Sequence, residues 1–222
     1  MKTIINNVFS LGVSCHTAFY LKNKGYRMSS TPFDWVWLDN HFNLQHILQS
    51  DFSCFLDDSY LTDHQSSSDK RAGHKMYGSR FFNHFNPRIQ AHAEYYKRCI
   101  ARFRDISKIP RKESILFMIM NHSFYMSNTD AICIKEKLQQ LFPARRINIC
   151  IINVYPRQSR SIWRAIKLDA TTVVINAKIK SYSLGWKFHF DEDDKRFDDI
   201  IHSLYKFNCK SQQQDKSEQE WS

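Results

Sequence analysis

Ser14, Cys15 and His16 set a hydroxyl, a thiol and an imidazole side by side, directly behind the turn residue Gly12. The apolar run Ile4 to Leu11 reads as a short buried strand that Gly12 ends. A helix follows from Cys15, with Ala18, Phe19 and Leu21 as its apolar positions and Lys24-Gly25 as its stop. A thiol in that place feels the helix dipole and the free first-turn amides, which favour the thiolate. The same amides, in a turn shaped by Gly12 and Ser14, could hold a developing oxyanion. Cys15 is therefore the expected nucleophile, with a small core thiol as the alternative reading. Ser14 competes, because a Gly-x-Ser turn between strand and helix also serves serine hydrolases, but the closing glycine of that motif is missing.

A cysteine nucleophile needs a base that later returns the proton as an acid. Ten histidines are present, so position must choose among them. His84, in Asn83-His84-Phe85-Asn86, lies in a loop ahead of a long helix, where catalytic groups often reside. His189 follows the last apolar strand, and its late place suits a cysteine-then-histidine order. His16 adjoins Cys15 but faces elsewhere on a helix, since neighbours one apart do not face each other. Each imidazole reads equally as an exposed or locally bonded side chain. Asp34, set among Phe33, Trp35 and Trp37, is either a partly buried carboxylate that orients the histidine or the N-cap of a following turn. Asn86 is a second orienting candidate.

Arg98 and Arg102, four apart in a helical pattern, could clamp a carboxylate or phosphate of the substrate, or form a solvated face. Asp199-Ile-Ile-His202 spells the D-x-x-H found late in SGNH esterases and acyltransferases. It falls inside an amphipathic helix, so it counts only if the fold sets it beside Cys15. No metal and no cofactor is expected. His41 with His46, and His84 with His92, miss the helical ligand spacings, and glycines are too sparse for a phosphate-binding loop.

The elements that must position these groups alternate. A helix is expected over Phe42 to Leu48. Asp57 to Gly78 lacks periodicity, with a polar loop at His64 to Arg71, and the clearest helix covers Ile89 to Ser107, ended by Pro110. Ile115 to Met120 and Ile147 to Val154 read as buried strands around a helix carrying Ile134, Leu138 and Leu141. A weaker helix is expected over Ser159 to Ile166, a third strand over Thr171 to Ile175, and a last helix over Phe197 to Tyr205. Apolar strands separated by helices predict a single α/β domain over residues 1–207, a mostly parallel doubly wound sheet flanked by helices. Residues 208–222 read as a polar, disordered tail.

The 222 residues suffice for one large core, and a 42% hydrophobic, 14% aromatic composition is that of a globular protein. Lys plus Arg exceed Asp plus Glu by 32 to 22, a net charge of +10. The excess suits an anionic partner or a solvated basic surface. Nucleic acid is not indicated beyond that charge, for no arginine-rich tract or RNP-like motif occurs. The six cysteines are scattered without a C-x-x-C pair, which fits a reducing compartment. No run approaches the roughly 20 apolar residues of a membrane span, and Lys2 with Asn6-Asn7 breaks any leader-like start. A cytoplasmic location is expected, with effector-type export lacking a cleaved signal left open.

Ser10-Leu-Gly-Val-Ser-Cys-His-Thr-Ala18, the basic stretch Lys24 to Arg27, and Thr31-Pro-Phe-Asp-Trp35 resemble the opening of the DUF1796 family, described as papain-like cysteine peptidases. Phe82-Asn-His-Phe-Asn-Pro87 and Tyr95 to Phe103 are similar to its middle. The resemblance implies Cys15 as nucleophile. It also implies a papain-like α+β fold, a helix packed on an antiparallel barrel, as the alternative to the parallel sheet. The combined reading is a thiol-dependent hydrolase or acyl-transfer enzyme acting on an amide or ester of unknown substrate. Its rivals are an SGNH-like esterase or O-acyltransferase, and a non-catalytic module binding an anionic ligand through a basic face.

Overall fold

Asn6 splits the first apolar run in two. In the computed structural model, which describes residues 2–63 and 71–209, the Asn6 side-chain oxygen accepts from the amide of Ser114 at 3.0 Å. Strand β1 (Thr3–Ile5) therefore parts from β2 (Asn7–Ser10). Then follow α1 (Cys15–Asn23), α2 (His41–Gln49), three short strands β3 (Leu61–Asp63), β4 (Ala72–His74) and β5 (Gly78–Phe82), and α3 (Gln90–Arg104). The second half runs β6 (Ser114–Asn121), α4 (Asn128–Leu141), β7 (Arg146–Tyr155), β8 (Ile162–Lys167), β9 (Thr172–Lys178), α5 (Asp191–Leu204) and β10 (Tyr205–Phe207).

The main sheet has the order β2-β6-β7-β9-β8. Its first four strands are parallel, and β8 joins β9 antiparallel. The protein is a mixed α/β domain. The doubly wound order expected from the sequence is not the one found, because the parallel strands follow one another in chain order without reversal. Two smaller sheets flank it: β1 beside β10 in parallel, and the antiparallel β3-β4-β5.

Period-two alternation sends the central strands' side chains to two cores. On β6, Ile115, Phe117 and Ile119 pack under α2, α3 and α4, while Leu116, Met118 and Met120 pack under α1 and α5. Each such side chain contributes roughly 1.5–3 kcal/mol by leaving water. Ser127 and Asp130 close a reciprocal capping box at the start of α4.

One expected element has the wrong type. Residues 159–166 do not form a helix; β8 occupies most of that stretch. Ile162, Arg164 and Ile166 lie on one face, while Trp163 on the other packs against Phe188 and Phe197. Trp163 and Ile166 are three apart, which imitates a helical pair, but the packing follows period two. The small sheet of β3, β4 and β5 was not expected at all, since strands of three to five residues carry no readable period. The polar loop expected at 64–71 lies outside the described residues as far as 70, and the expected tail does so from 210 onward.

Candidate active site

The turn between β2 and α1 is held in the left-handed region by two successive residues. Gly12 has φ +68, and a Cβ there would stand 2.5 Å from the carbonyl oxygen of Phe33. Val13 has φ 82, a conformation that costs a β-branched residue about 1–3 kcal/mol. Its side chain is buried, and its carbonyl accepts from the Leu38 amide at 3.3 Å, so the surroundings fix the strained form. Ser14 is the extended N-cap of α1, and its hydroxyl is buried without a hydrogen-bond partner. Cys15 opens the helix. The Thr17 hydroxyl accepts from the Met120 amide at 3.0 Å, which seats the start of α1 over the end of β6.

The Cys15 thiol donates to the carbonyl of Gly185 at 3.0 Å. Gly185 itself has φ +91, and a Cβ there would lie 3.4 Å from the sulfur. Burial pushes the thiol above its ordinary value of 9.0, and a backbone hydrogen bond at Cys15 opposes this only in part. The sequence led to the expectation of a thiolate favoured by the helix start. In the resting fold burial is the largest influence on the thiol, and it disfavours the thiolate.

A second layer of groups lies one residue along. The His16 and His122 rings stack at 5.3 Å and 7°. His16 Nδ1 lies 2.9 Å from the Ser183 hydroxyl, which also accepts from the Gly185 amide at 3.0 Å. Phe188 packs edge-on to both rings. Burial lowers both imidazoles, His122 to about 4, and neither His122 nitrogen has a hydrogen-bond partner. Sequence reasoning missed this cluster. His122 directly follows Asn121, the last residue of β6, and that position at a strand's carboxyl end was the available signal.

His84 rests its ring on Trp35 at 5.3 Å, and Trp35 in turn meets Phe19 at 5.1 Å. Phe19 lies one turn along α1 from Cys15, on the same helical face. His84 Nε2 is buried without a partner, and burial, with Arg71 nearby, lowers its pKa. His189 is exposed and stacks on Tyr182 at 4.8 Å, in the loop that carries Gly185. Among the described residues Asp34 holds no histidine: its buried carboxylate takes Arg27 at 2.6 Å and the Thr31 amide and hydroxyl at 3.0 and 2.8 Å. It thereby fixes the Thr31-Pro32-Phe33 turn against which Gly12 packs. Asn86 accepts from the Arg88 amide through its side chain and pairs with His92 through its backbone.

Arg98 and Arg102 are not gathered with Cys15. Arg98 is exposed on α3, and Arg102 lines a pocket of about 310 Å³ with Asn7 and Phe9, whose strand β2 reaches Cys15 only past its other end. Asp199 and His202 also stand apart, with His202 Nε2 held 2.6 Å from the Tyr26 hydroxyl. Among the described residues no group of three or more metal-binding side chains is found, and no helix is long and apolar enough to cross a membrane.

The sequence model of a family described as "Putative papain-like cysteine peptidase (DUF1796)" matches residues 6–154. The chain belongs to this family. No curated protein and no solved structure matches it. The DUF1796 match takes in the Gly12–Cys15 turn, Asp34, His84, Asn86 and His122. It stops before β8 and before the loop that carries Ser183, Gly185 and His189. Within DUF1796 terms, the nucleophile candidate and His84 share the matched region, and the carbonyl that holds the thiol comes from outside it.

Proposed function

We propose that the protein is a cysteine-nucleophile hydrolase or acyltransferase acting on an amide or ester, with Cys15 as nucleophile and His84 as base. The observation that carries this reading is the place of Cys15: first residue of α1, at the carboxyl end of a buried strand, behind a turn kept strained at Val13. First-turn amides of a helix have no partner within it, so those of Cys15 and His16 suit an oxyanion. Membership of a family described as papain-like cysteine peptidases supports the same nucleophile.

Gly185 releases the thiol, and the imidazole takes its proton. The sulfur attacks the carbonyl carbon, and the oxygen carries the negative charge towards the turn amides. The C–N or C–O bond then breaks as the imidazolium returns the proton to the leaving group. Water, or another acceptor in a transfer reaction, resolves the thioester and restores the thiol. His84 is favoured over His189 because its Nε2 is buried without a hydrogen-bond partner and its ring rests on Trp35, which meets Phe19 one turn along α1 from Cys15. Asp34 serves the site by holding Arg27 and the Thr31 turn.

The test uses p-nitrophenyl esters and anilides with intact-mass detection of the enzyme. Wild type is expected to gain one acyl mass on Cys15 and to release p-nitrophenol from the esters or p-nitroaniline from the anilides, and Cys15→Ala to do neither. His84→Gln should slow acylation by about 10²–10⁴-fold, the usual worth of a positioned base. Turnover surviving in Cys15→Ala overturns the nucleophile, and a loss confined to His189→Gln transfers the base to that residue.

A further inference from the structure

At the opposite edge of the sheet from β2 lies a pocket of about 530 Å³ over β8 and β9. It exists because β7 and β9 are joined through a strand. A helix in that place would have covered the sheet, whereas β8 widens it and leaves the face on the α4 side open. Asn176 and Arg164 are directly paired across β9 and β8, as are Lys178 and Ile162, so all four side chains share that face with Ile166. Tyr125 and Tyr155 form the remaining wall, with ring centroids 6.4 Å apart.

The polarity of this pocket is set from behind. Asn153 is locked by reciprocal bonds with Met126: its side-chain oxygen accepts from the Met126 amide at 3.0 Å, and its Nδ2 donates to the Met126 carbonyl at 2.8 Å. The same Nδ2 also donates to Asn176 Oδ1 at 3.2 Å. Asn176 must therefore keep its oxygen turned to Asn153 and offer its Nδ2 hydrogens elsewhere. Arg164 and Lys178 add only donors, and neither has an ion pair among the described residues. The lining thus supplies donors and positive charge between apolar walls, and a ligand must supply acceptors and negative charge.

We propose that this pocket binds a small oxyanion, carboxylate or phosphate, carried on an apolar ring. Arg164, Lys178 and Asn176 hold the anion, and Tyr125, Tyr155, Ile162 and Ile166 enclose the ring. This site accounts for the anionic ligand that the charge excess suggested, with residues other than Arg98 and Arg102. It is independent of chemistry at Cys15.

Isothermal titration of the full chain with phenyl phosphate, benzoate, inorganic phosphate and phenol tests it. At least one aryl anion is expected to bind, about tenfold or more tighter than phosphate or phenol. The comparison of phenyl phosphate with benzoate assigns the anion as phosphate or carboxylate. Arg164→Ala and Lys178→Ala, both at exposed positions, should each weaken binding by about tenfold or more, as should Asn176→Asp, which replaces a donor by a like charge. Cys15→Ala should bind as wild type. Failure of both aryl anions to bind at 10 mM-range concentrations, about the weakest affinity worth assigning to a site, overturns the proposal. So does binding left unchanged by Arg164→Ala and Lys178→Ala.

Discussion

The thiol of Cys15 donates to the carbonyl of Gly185 at 3.0 Å, across 170 residues of chain. The contact makes a late loop part of an early turn. Ser183 braces that loop by bonding both His16 and the Gly185 amide.

Alkylation of Cys15 by iodoacetamide should therefore rise with pH through a midpoint above 9.0, since burial disfavours the thiolate. Peptide mapping of the labelled protein across pH 6 to 11, roughly the range of perturbed thiols, measures it. A plateau already reached at neutral pH would show an activated resting thiolate instead.

Ser183→Ala should loosen the loop and leave His16 buried without its partner. The expected cost is about 1–3 kcal/mol in urea denaturation, together with several-fold faster labelling of Cys15. Loss of stability with unchanged labelling would mean that the Gly185 contact does not shield the thiol.

Gly12 and Gly25 both sit at φ +68, yet only Gly12 faces a wall. Gly12→Ala should cost about 3 kcal/mol from clash with Phe33 and backbone strain together, and Gly25→Ala about 1 kcal/mol from strain alone. Equal losses in denaturant midpoints would refute the close approach at Phe33.

Breaking the buried Arg27–Asp34 pair should destabilise by about 3–5 kcal/mol, because the buried Arg27 charge loses the carboxylate 2.6 Å away. Asp34→Ala is expected to show this in thermal unfolding. An Asp34→Ala protein of wild-type stability would return that carboxylate to a role in orienting a histidine.

His16 and His122 are kept neutral by burial, so the folded state binds fewer protons than the unfolded state below pH 6.5. Stability is full above 6.5 and falls as pH drops towards about 4 for His122. The slope is roughly 1 kcal/mol per pH unit for each histidine. Urea midpoints from pH 7 to 4 should flatten in His122→Phe.

Local punctuation made much of this legible. Gly12 behind an apolar run placed the start of α1, and the continuous apolar stretches of β6 and β7 could only be buried strands. What escaped depends on contacts between distant segments. Gly185 reaches Cys15 from the far side of β9, and His122 gains its meaning only by stacking on His16. Asp34 looked like a partner for histidine because its neighbours are aromatic, but Arg27 seven residues earlier claims it. Trp163 and Ile166 mimicked a helix, whereas pairing with β9 gave them opposite faces.

Strand β1 is synthesised long before the strand that completes it. Thr3, Ile4 and Ile5 lie opposite Tyr205, Lys206 and Phe207, and the Asn208 amide seals the pair on the Ile5 carbonyl at 2.7 Å. Until residue 207 leaves the ribosome, β1 is an open edge with donors and acceptors on offer to any neighbouring chain. Since α5 leads straight into β10, its docking delivers the strand that β1 pairs with, and one of the two edges of β1 closes in that single event.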